Sequence, residues 1–172
     1  LVGSEMCIRD RLRVGKMLKV GQKAPNFSLL NQYRKRIKLS DFRGKKVLLY
    51  FYPKDFTPGC TLEAINLKNN YENLKKNGIE VIGVNVDDCE THKKFSEKLK
   101  LPFNLLYDSS KKIVKKYGVY KEKSFFGKKF FGVNRVSFLI DESGKIIKIF
   151  DKVDVKNHAR QVLEFLSAGA GI

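Results

Sequence analysis

Tryptophan is absent, and cysteine and histidine are scarce, with three and two residues in a chain of 172. Cys7, Cys60 and Cys89 form an odd set without short-range spacing, which argues against a secreted disulfide framework and suits a reducing, cytoplasmic compartment. The two histidines, His92 and His158, are too few for a histidine-rich metal centre. Cys89 and His92 in "CETH" have half of a zinc site's spacing and no second ligand pair. Both histidines read as solvated helix positions. Long apolar runs are missing too. Nothing approaches the ~18 residues that cross a bilayer, and "KVLLYFY" is of strand length, so a soluble protein without a membrane partner is expected. Acidic residues are outnumbered, 18 against 35 basic ones, and a formal charge of +17 would draw nucleic acid or another polyanion. The lysines are scattered rather than gathered in one block, so they read first as a solvated surface. A basic nucleic-acid-binding module on the same scaffold is the alternative.

What is present is enough chain for one well-filled domain. Residues 1–16, "LVGSEMCIRDRLRVGK", carry charges that interrupt any signal-peptide core, and "MCIRDR" resembles a translated sequencing adapter. They read as a non-native leader that takes Cys7 with it, leaving a single domain over 17–168. The run "KVLLYFY" has the continuous apolar character of a strand buried on both faces. After it, "CTLEAINLKNNYENLKKNG" carries Leu62, Ile65, Tyr71 and Leu74 at mostly helical spacing, with Gly78 as a stop. The strands "IEVIGVNV", "FNLLYD", "RVSFLID" and "IIKIFDK" then alternate with the helices "CETHKKFSEKLK", "SSKKIVKKYG" and "VKNHARQVLEFLSA". This order predicts an α/β fold: a central mixed sheet of about five strands flanked by helices, its crossovers parallel and its edge at "DESGK" antiparallel. The stretch "SFFGKKFFGV" reads either as core packing with solvated Lys128 and Lys129, or as an aromatic dimer surface or wall beside the site.

The chemistry points to Cys60. It follows a buried strand directly and opens a helix, the place where α/β sheets collect reactive groups. Unpaired backbone N–H groups and the positive helix end favour a thiolate there. Thr57, three residues earlier, can turn a hydroxyl toward a substrate oxygen, and Pro53 and Pro58 stiffen the loop and limit water. An arginine would stabilise both the thiolate and a departing oxyanion, and Arg135, at the start of a buried-looking strand, is the candidate. A small buried hydrophobe is the competing reading of such a cysteine.

"PKDFTPGC" matches the P-x-x-x-T-x-x-C signature of peroxiredoxins, with Pro53, Thr57 and Cys60 in the three places, and "NRVSFLIDESGKI" resembles their arginine-bearing strand. The resemblance runs from about Met17 to Leu166 and is nearest the bacterioferritin-comigratory-protein, or Q-type, subfamily. It implies a thioredoxin-like fold and an AhpC/TSA-like thiol peroxidase. In that reading Cys60 attacks hydrogen peroxide or an organic hydroperoxide and becomes a sulfenic acid. Thr57 and Arg135 hold the peroxide oxygens and Pro53 shields the pocket. The resemblance implies no metal or organic cofactor, electrons from thioredoxin or another thiol reductant, and a monomer or weak homodimer. Many members carry a resolving cysteine five residues after the first. Ile65 occupies that position here, leaving either Cys89 or an external thiol to resolve the sulfenic acid. The one-cysteine route is slightly preferred.

Overall fold

The computed structural model describes residues 18–170, so the expected leader at 1–16, with Cys7, lies outside the described residues. At its centre is β3 (Lys46–Phe51), on which Val47, Leu49 and Phe51 alternate with Leu48 and Tyr50; all five are buried. Because a strand's side chains alternate between faces, this apolar run supplies two cores at once. Leu48, Tyr50 and Tyr52 pack beneath α1 (Pro58–Asn69), α2 (Tyr71–Lys76), α3 (Cys89–Leu99) and α5 (His158–Ala170). Val47, Leu49 and Phe51 meet Ala24, Phe27 and the short α4 (Lys112–Lys116) on the other face. Each fully buried side chain of this size contributes about 1.5–3 kcal/mol.

The main sheet has seven strands rather than about five, in the order β2-β1-β5-β4-β3-β8-β9. The flanking members are β1 (Ser28–Asn31), β2 (Arg36–Lys38), β4 (Ile79–Asn85), β5 (Asn104–Tyr107), β8 (Val136–Ile140) and β9 (Ile146–Phe150). The two beyond the central five form the β1–β2 edge hairpin: β1 lies in "NFSLLNQ", a stretch that reads as a strand leading into a turn, and β2 has only three residues, too few to show a period. Only β3–β4 and β4–β5 are parallel, because only those pairs are joined by helical crossovers; β8 runs antiparallel to β3, so the sheet is mixed, as expected. A separate hairpin, β6 (Tyr120–Phe125) and β7 (Lys128–Val133), stands off the sheet.

The expected long helix after Cys60 is broken at Asn70, whose non-helical backbone separates α1 from α2 and whose side-chain amide donates to the Asn66 carbonyl. Its inward face is also shifted. Cys60, Glu63, Ala64 and Leu67 are buried, whereas Leu62 is exposed and Ile65 half-buried. Cys60 enters the core side directly from β3, so the positions at i+3, i+4 and i+7 follow it inward, and Leu62 at i+2 is carried away. Among the described residues no helix is long and apolar enough to cross a membrane.

Candidate active site

Sheet register brings the functional residues to one rim. Phe51 ends β3, pairs with Val84 in parallel and faces Val136 in antiparallel. The residue before Val136 and the loop after Asn85 therefore lie beside the turn that leaves β3. Tyr52, Pro53, Asp55 and Phe56 form that turn, with Phe56 in the left-handed region at φ 66°. Thr57 is the N-cap of α1 and Pro58 its first residue, a position that suits proline because no intrahelical donor is lost there. Thr57 does not cap the helix with its side chain; Oγ1 donates to the Lys54 carbonyl at 2.8 Å. The first-turn N–H groups around Cys60 are thus left without a side-chain cap, an environment that favours negative charge.

Cys60 is buried at this helix start, and Arg135 reaches it from the position just before β8. The guanidinium forks: Nη1 donates to Glu63 Oε1 at 2.7 Å and Nη2 to Cys60 Sγ at 3.5 Å. Glu63 lies one helical turn beyond Cys60 and is fully buried. Burial opposes the charge of Arg135, but Glu63 and Cys60 together hold its pKa above the usual value. Gly59 makes the close approach possible, since a Cβ there would sit 2.8 Å from Arg135 Nη2. A second cation, Lys123 of β6, lies near enough to be affected. Burial and the Arg135 charge push its pKa down, and Cys60 pulls the other way. Pro53 and Thr57 are half-buried on the same loop.

Burial outweighs Arg135 at Glu63 and pushes its carboxyl up to about 7 from an ordinary 4.5, and Oε2 has no hydrogen-bond partner. Between those two pH values the folded state binds more protons than the unfolded chain. The stabilisation from Glu63 is therefore complete below 4.5 and lost as pH rises through 7. The full difference is on the order of 3 kcal/mol. A Glu63→Gln variant is expected to gain stability relative to the wild type as pH is raised across that window, read as urea midpoints; parallel profiles would contradict the assignment. His158 works in the opposite sense. Burial pushes it down to about 4, so its contribution is present above 6.5 and lost as pH falls through 4.

Both histidines are fully buried, correcting the expectation of solvated positions. His158 bonds Ser137 Oγ at 2.8 Å and Gln161 Oε1 at 2.9 Å. His92 bonds Asp55 Oδ2 through Nδ1 at 2.6 Å and the Leu106 carbonyl through Nε2 at 3.0 Å. Asp55 also accepts from Tyr52 Oη at 2.6 Å, and its backbone N–H donates to Asp87 Oδ2 at 2.8 Å. This network fastens the Cys60 loop to the β4–α3 loop. Glu63, Gly59, Asp55 and His92 were not anticipated as site residues. "CTLE" places a carboxylate one turn after the cysteine, which is a usable signal for Glu63; nothing local marks the pairing of Asp55 with His92, 37 residues away.

Arg135 meets Cys60 at this rim with Thr57 on the same loop, and no disulfide joins Cys60 to Cys89. Both thiols are free and buried. Cys89 starts α3, which packs on β5 and β1, and it borders a cavity lined by Gln32, Arg34, Glu90 and Lys93. Two strand spacings, about 10 Å, separate β5 from β3. Burial raises the pKa of the Cys89 thiol, with Arg34 opposing. Another cleft, lined by Leu39, Arg43, Val47, Ile140 and Asp141, lies at the opposite end of β3, where Val47 pairs with Ile140, and holds no nucleophile.

Residues 20–149 match the AhpC/TSA family. The chain is 46% identical over 153 residues to peroxiredoxin Bcp of Escherichia coli strain K12, covering 89% of this chain and 98% of that protein. It is 44% identical over 149 residues to peroxiredoxin Bcp of Bacillus subtilis strain 168, covering 87% and 95%. Among solved structures, a cysteine-to-serine mutant of Xylella fastidiosa PrxQ superposes with a TM-score of 0.84 at 31% identity, covering 91% of this chain and 99% of that one. A mutant of Xanthomonas campestris peroxiredoxin Q superposes at 0.78 and 33% identity, covering 83% and 91%. These neighbours share the thioredoxin-like α/β architecture. The matched segment takes in both the Cys60 loop and Arg135, and the chain belongs to the AhpC/TSA family, in its Bcp/PrxQ peroxiredoxin branch.

Proposed function

We propose that this chain reduces hydrogen peroxide and organic hydroperoxides through a sulfenic acid on Cys60, which an external thiol of the thioredoxin type then reduces. The observation that carries this reading is the Arg135 fork, which holds a fixed positive charge on Cys60 while its other arm is anchored on buried Glu63. The Cys60 thiolate attacks one peroxide oxygen; the S–O bond forms as the O–O bond breaks, and the sulfur gives up two electrons. The leaving hydroxide or alkoxide takes a proton and departs as water or alcohol. Arg135 stabilises the charge that moves from sulfur to the leaving oxygen. Thr57 already donates its hydroxyl proton to Lys54, so its oxygen is free to accept from the peroxide O–H. Pro53 walls the loop against water. One external thiol condenses with the sulfenic acid, releasing water and leaving a mixed disulfide. A second thiol releases Cys60 and carries the electrons away as a disulfide.

The one-cysteine route is favoured over resolution by Cys89 because a Cys60–Cys89 bond needs Cα atoms within about 7 Å. Reaching that would unfasten the Asp55 network and a helix start. Intact-mass analysis after one equivalent of peroxide, without reductant, tests the reading. The expected product gains one oxygen on Cys60 and is trapped by a sulfenic-acid reagent. Loss of two hydrogens mapped to Cys60 and Cys89 would replace the one-cysteine route with an internal disulfide, and an unchanged Cys60 would overturn the peroxidase reading.

A further inference from the structure

The β6–β7 hairpin does not behave as core. Phe125, Phe130 and Phe131 are exposed, and Phe126 at the tip is 91% exposed. The two-residue turn is Phe126-Gly127, with φ of 51° and 76°. Both positions favour glycine or asparagine, so a phenylalanine occupies the tip at a conformational cost, with Phe125 as its aromatic neighbour. Lysines stand immediately behind it: Lys128 pairs with Phe125 and Lys129 with Ser124, whereas Lys123, opposite Phe130, turns its ammonium to the Val133 carbonyl at the root. At the root, Phe131 stacks on Tyr120, and the Lys111 and Lys115 ammonium groups lie over that ring at 5.7 and 5.8 Å. The hairpin thus presents an apolar point and, within about 3–10 Å behind it at strand spacing, a collar of positive charge.

We propose that this tip docks on an anionic lipid bilayer, with Phe125 and Phe126 in the interfacial layer and Lys128 and Lys129 among the headgroups. The charge order fits that occupant. A bilayer of anionic lipid offers an outer negative shell and an apolar layer about 5–10 Å in, which is the reverse image of the hairpin. A second copy of the chain would set these lysines against one another. Single-stranded nucleic acid would need flat stacking faces, whereas Phe125 and Phe126 meet edge to face at 4.4 Å and form a wedge. The expectation of no membrane partner rested on the lack of a spanning segment, which says nothing about surface docking. The proposal is independent of the peroxidase reading, although the root of the hairpin adjoins the Cys60 site through Lys123.

The absence of tryptophan supplies the probe: Phe126→Trp carries the chain's sole indole. Its emission should shift to the blue and become quenchable by brominated lipid with vesicles of phosphatidylcholine and phosphatidylglycerol, and should not change with phosphatidylcholine alone. In vesicle sedimentation, Phe125→Ser/Phe126→Ser should weaken partitioning at least tenfold, and Lys128→Ala/Lys129→Ala about thirtyfold at low salt. Both variants should melt as the wild type does, since neither removes a buried contact. The proposal is overturned by no shift with anionic vesicles, or by equal sedimentation of the phenylalanine variant, which would leave only attraction of a basic protein to charge. Phenylalanine-dependent self-association without lipid, or phenylalanine-dependent retention on single-stranded DNA, would assign the hairpin to those partners and overturn it equally.

Discussion

Cys60→Ser is expected to abolish peroxide consumption, and Arg135→Met to slow it at least a hundredfold. Serine keeps the shape of the site but is neither ionised near neutral pH nor able to hold the oxygen as a sulfenic acid. The arginine effect follows from removing one donor aimed at transition-state charge, typically a loss of 10²–10³ in rate. Arg135→Met also strands Glu63, a buried carboxylate whose second oxygen is already unpartnered. Removing one half of a buried pair costs about 3–5 kcal/mol, which is enough to slow turnover through misfolding alone. Glu63→Leu/Arg135→Met separates the two causes. Replacing both halves by apolar groups is close to neutral for stability, so this double variant should melt like the wild type and still show the hundredfold defect. Arg135→Lys should fold and recover only part of the rate, because an ammonium is a point charge and cannot span Glu63 and Cys60 together. Stopped-flow peroxide kinetics read all four. A double variant within threefold of the wild type would remove Arg135 from the chemistry.

The residues that could be read from the sequence are those whose signal is local or carried by the family pattern. Cys60, Thr57, Pro58 and Pro53 lie within eight positions, and their order, a buried strand and then a helix start, states their geometry directly. Arg135 is distant in sequence, but β8 pairs with β3 at the end where Cys60 emerges, so the strand assignment carries it there. Three things were hidden. Short edge strands such as β2 have no period to detect. The inward face of α1 includes Glu63 and excludes Leu62, so counting apolar residues gives the wrong stripe. Exposure of Phe125, Phe126 and Phe131 could not be read either, because the paired run Phe125-Phe126, Lys128-Lys129, Phe130-Phe131 has no strand alternation to say which face is buried.

His92 and Asp55 belong to a fourth kind, polar groups buried for each other's sake, and they carry the second large effect. Asp55→Leu is expected to destabilise the fold by about 3–5 kcal/mol, a fall in melting temperature of roughly 10 °C for a chain of this length. The carboxylate accepts from Tyr52 Oη and faces His92 Nδ1; leucine leaves both of these buried groups without their partner, while Asn85 Nδ2, 3.4 Å from Asp55, keeps Asp87 Oδ2. Asp55→Asn tests whether hydrogen bonds or charge matter. The Leu106 carbonyl can only accept, so His92 Nε2 carries a proton. A neutral ring of that tautomer accepts at Nδ1, and an asparagine amide donates to it while its oxygen keeps Tyr52. Asp55→Asn should therefore melt within a few degrees of the wild type. If it falls as far as Asp55→Leu, the site requires a charged His92–Asp55 pair; if neither variant falls, the network does not hold the loop. Because the Asp55 carboxylate ties the turn to His92 on α3, loss of the side chain loosens the turn that carries Cys60. The Asp55→Leu variant that remains folded at low temperature should consume peroxide at least tenfold more slowly, as expected when a reacting group loses its fixed position.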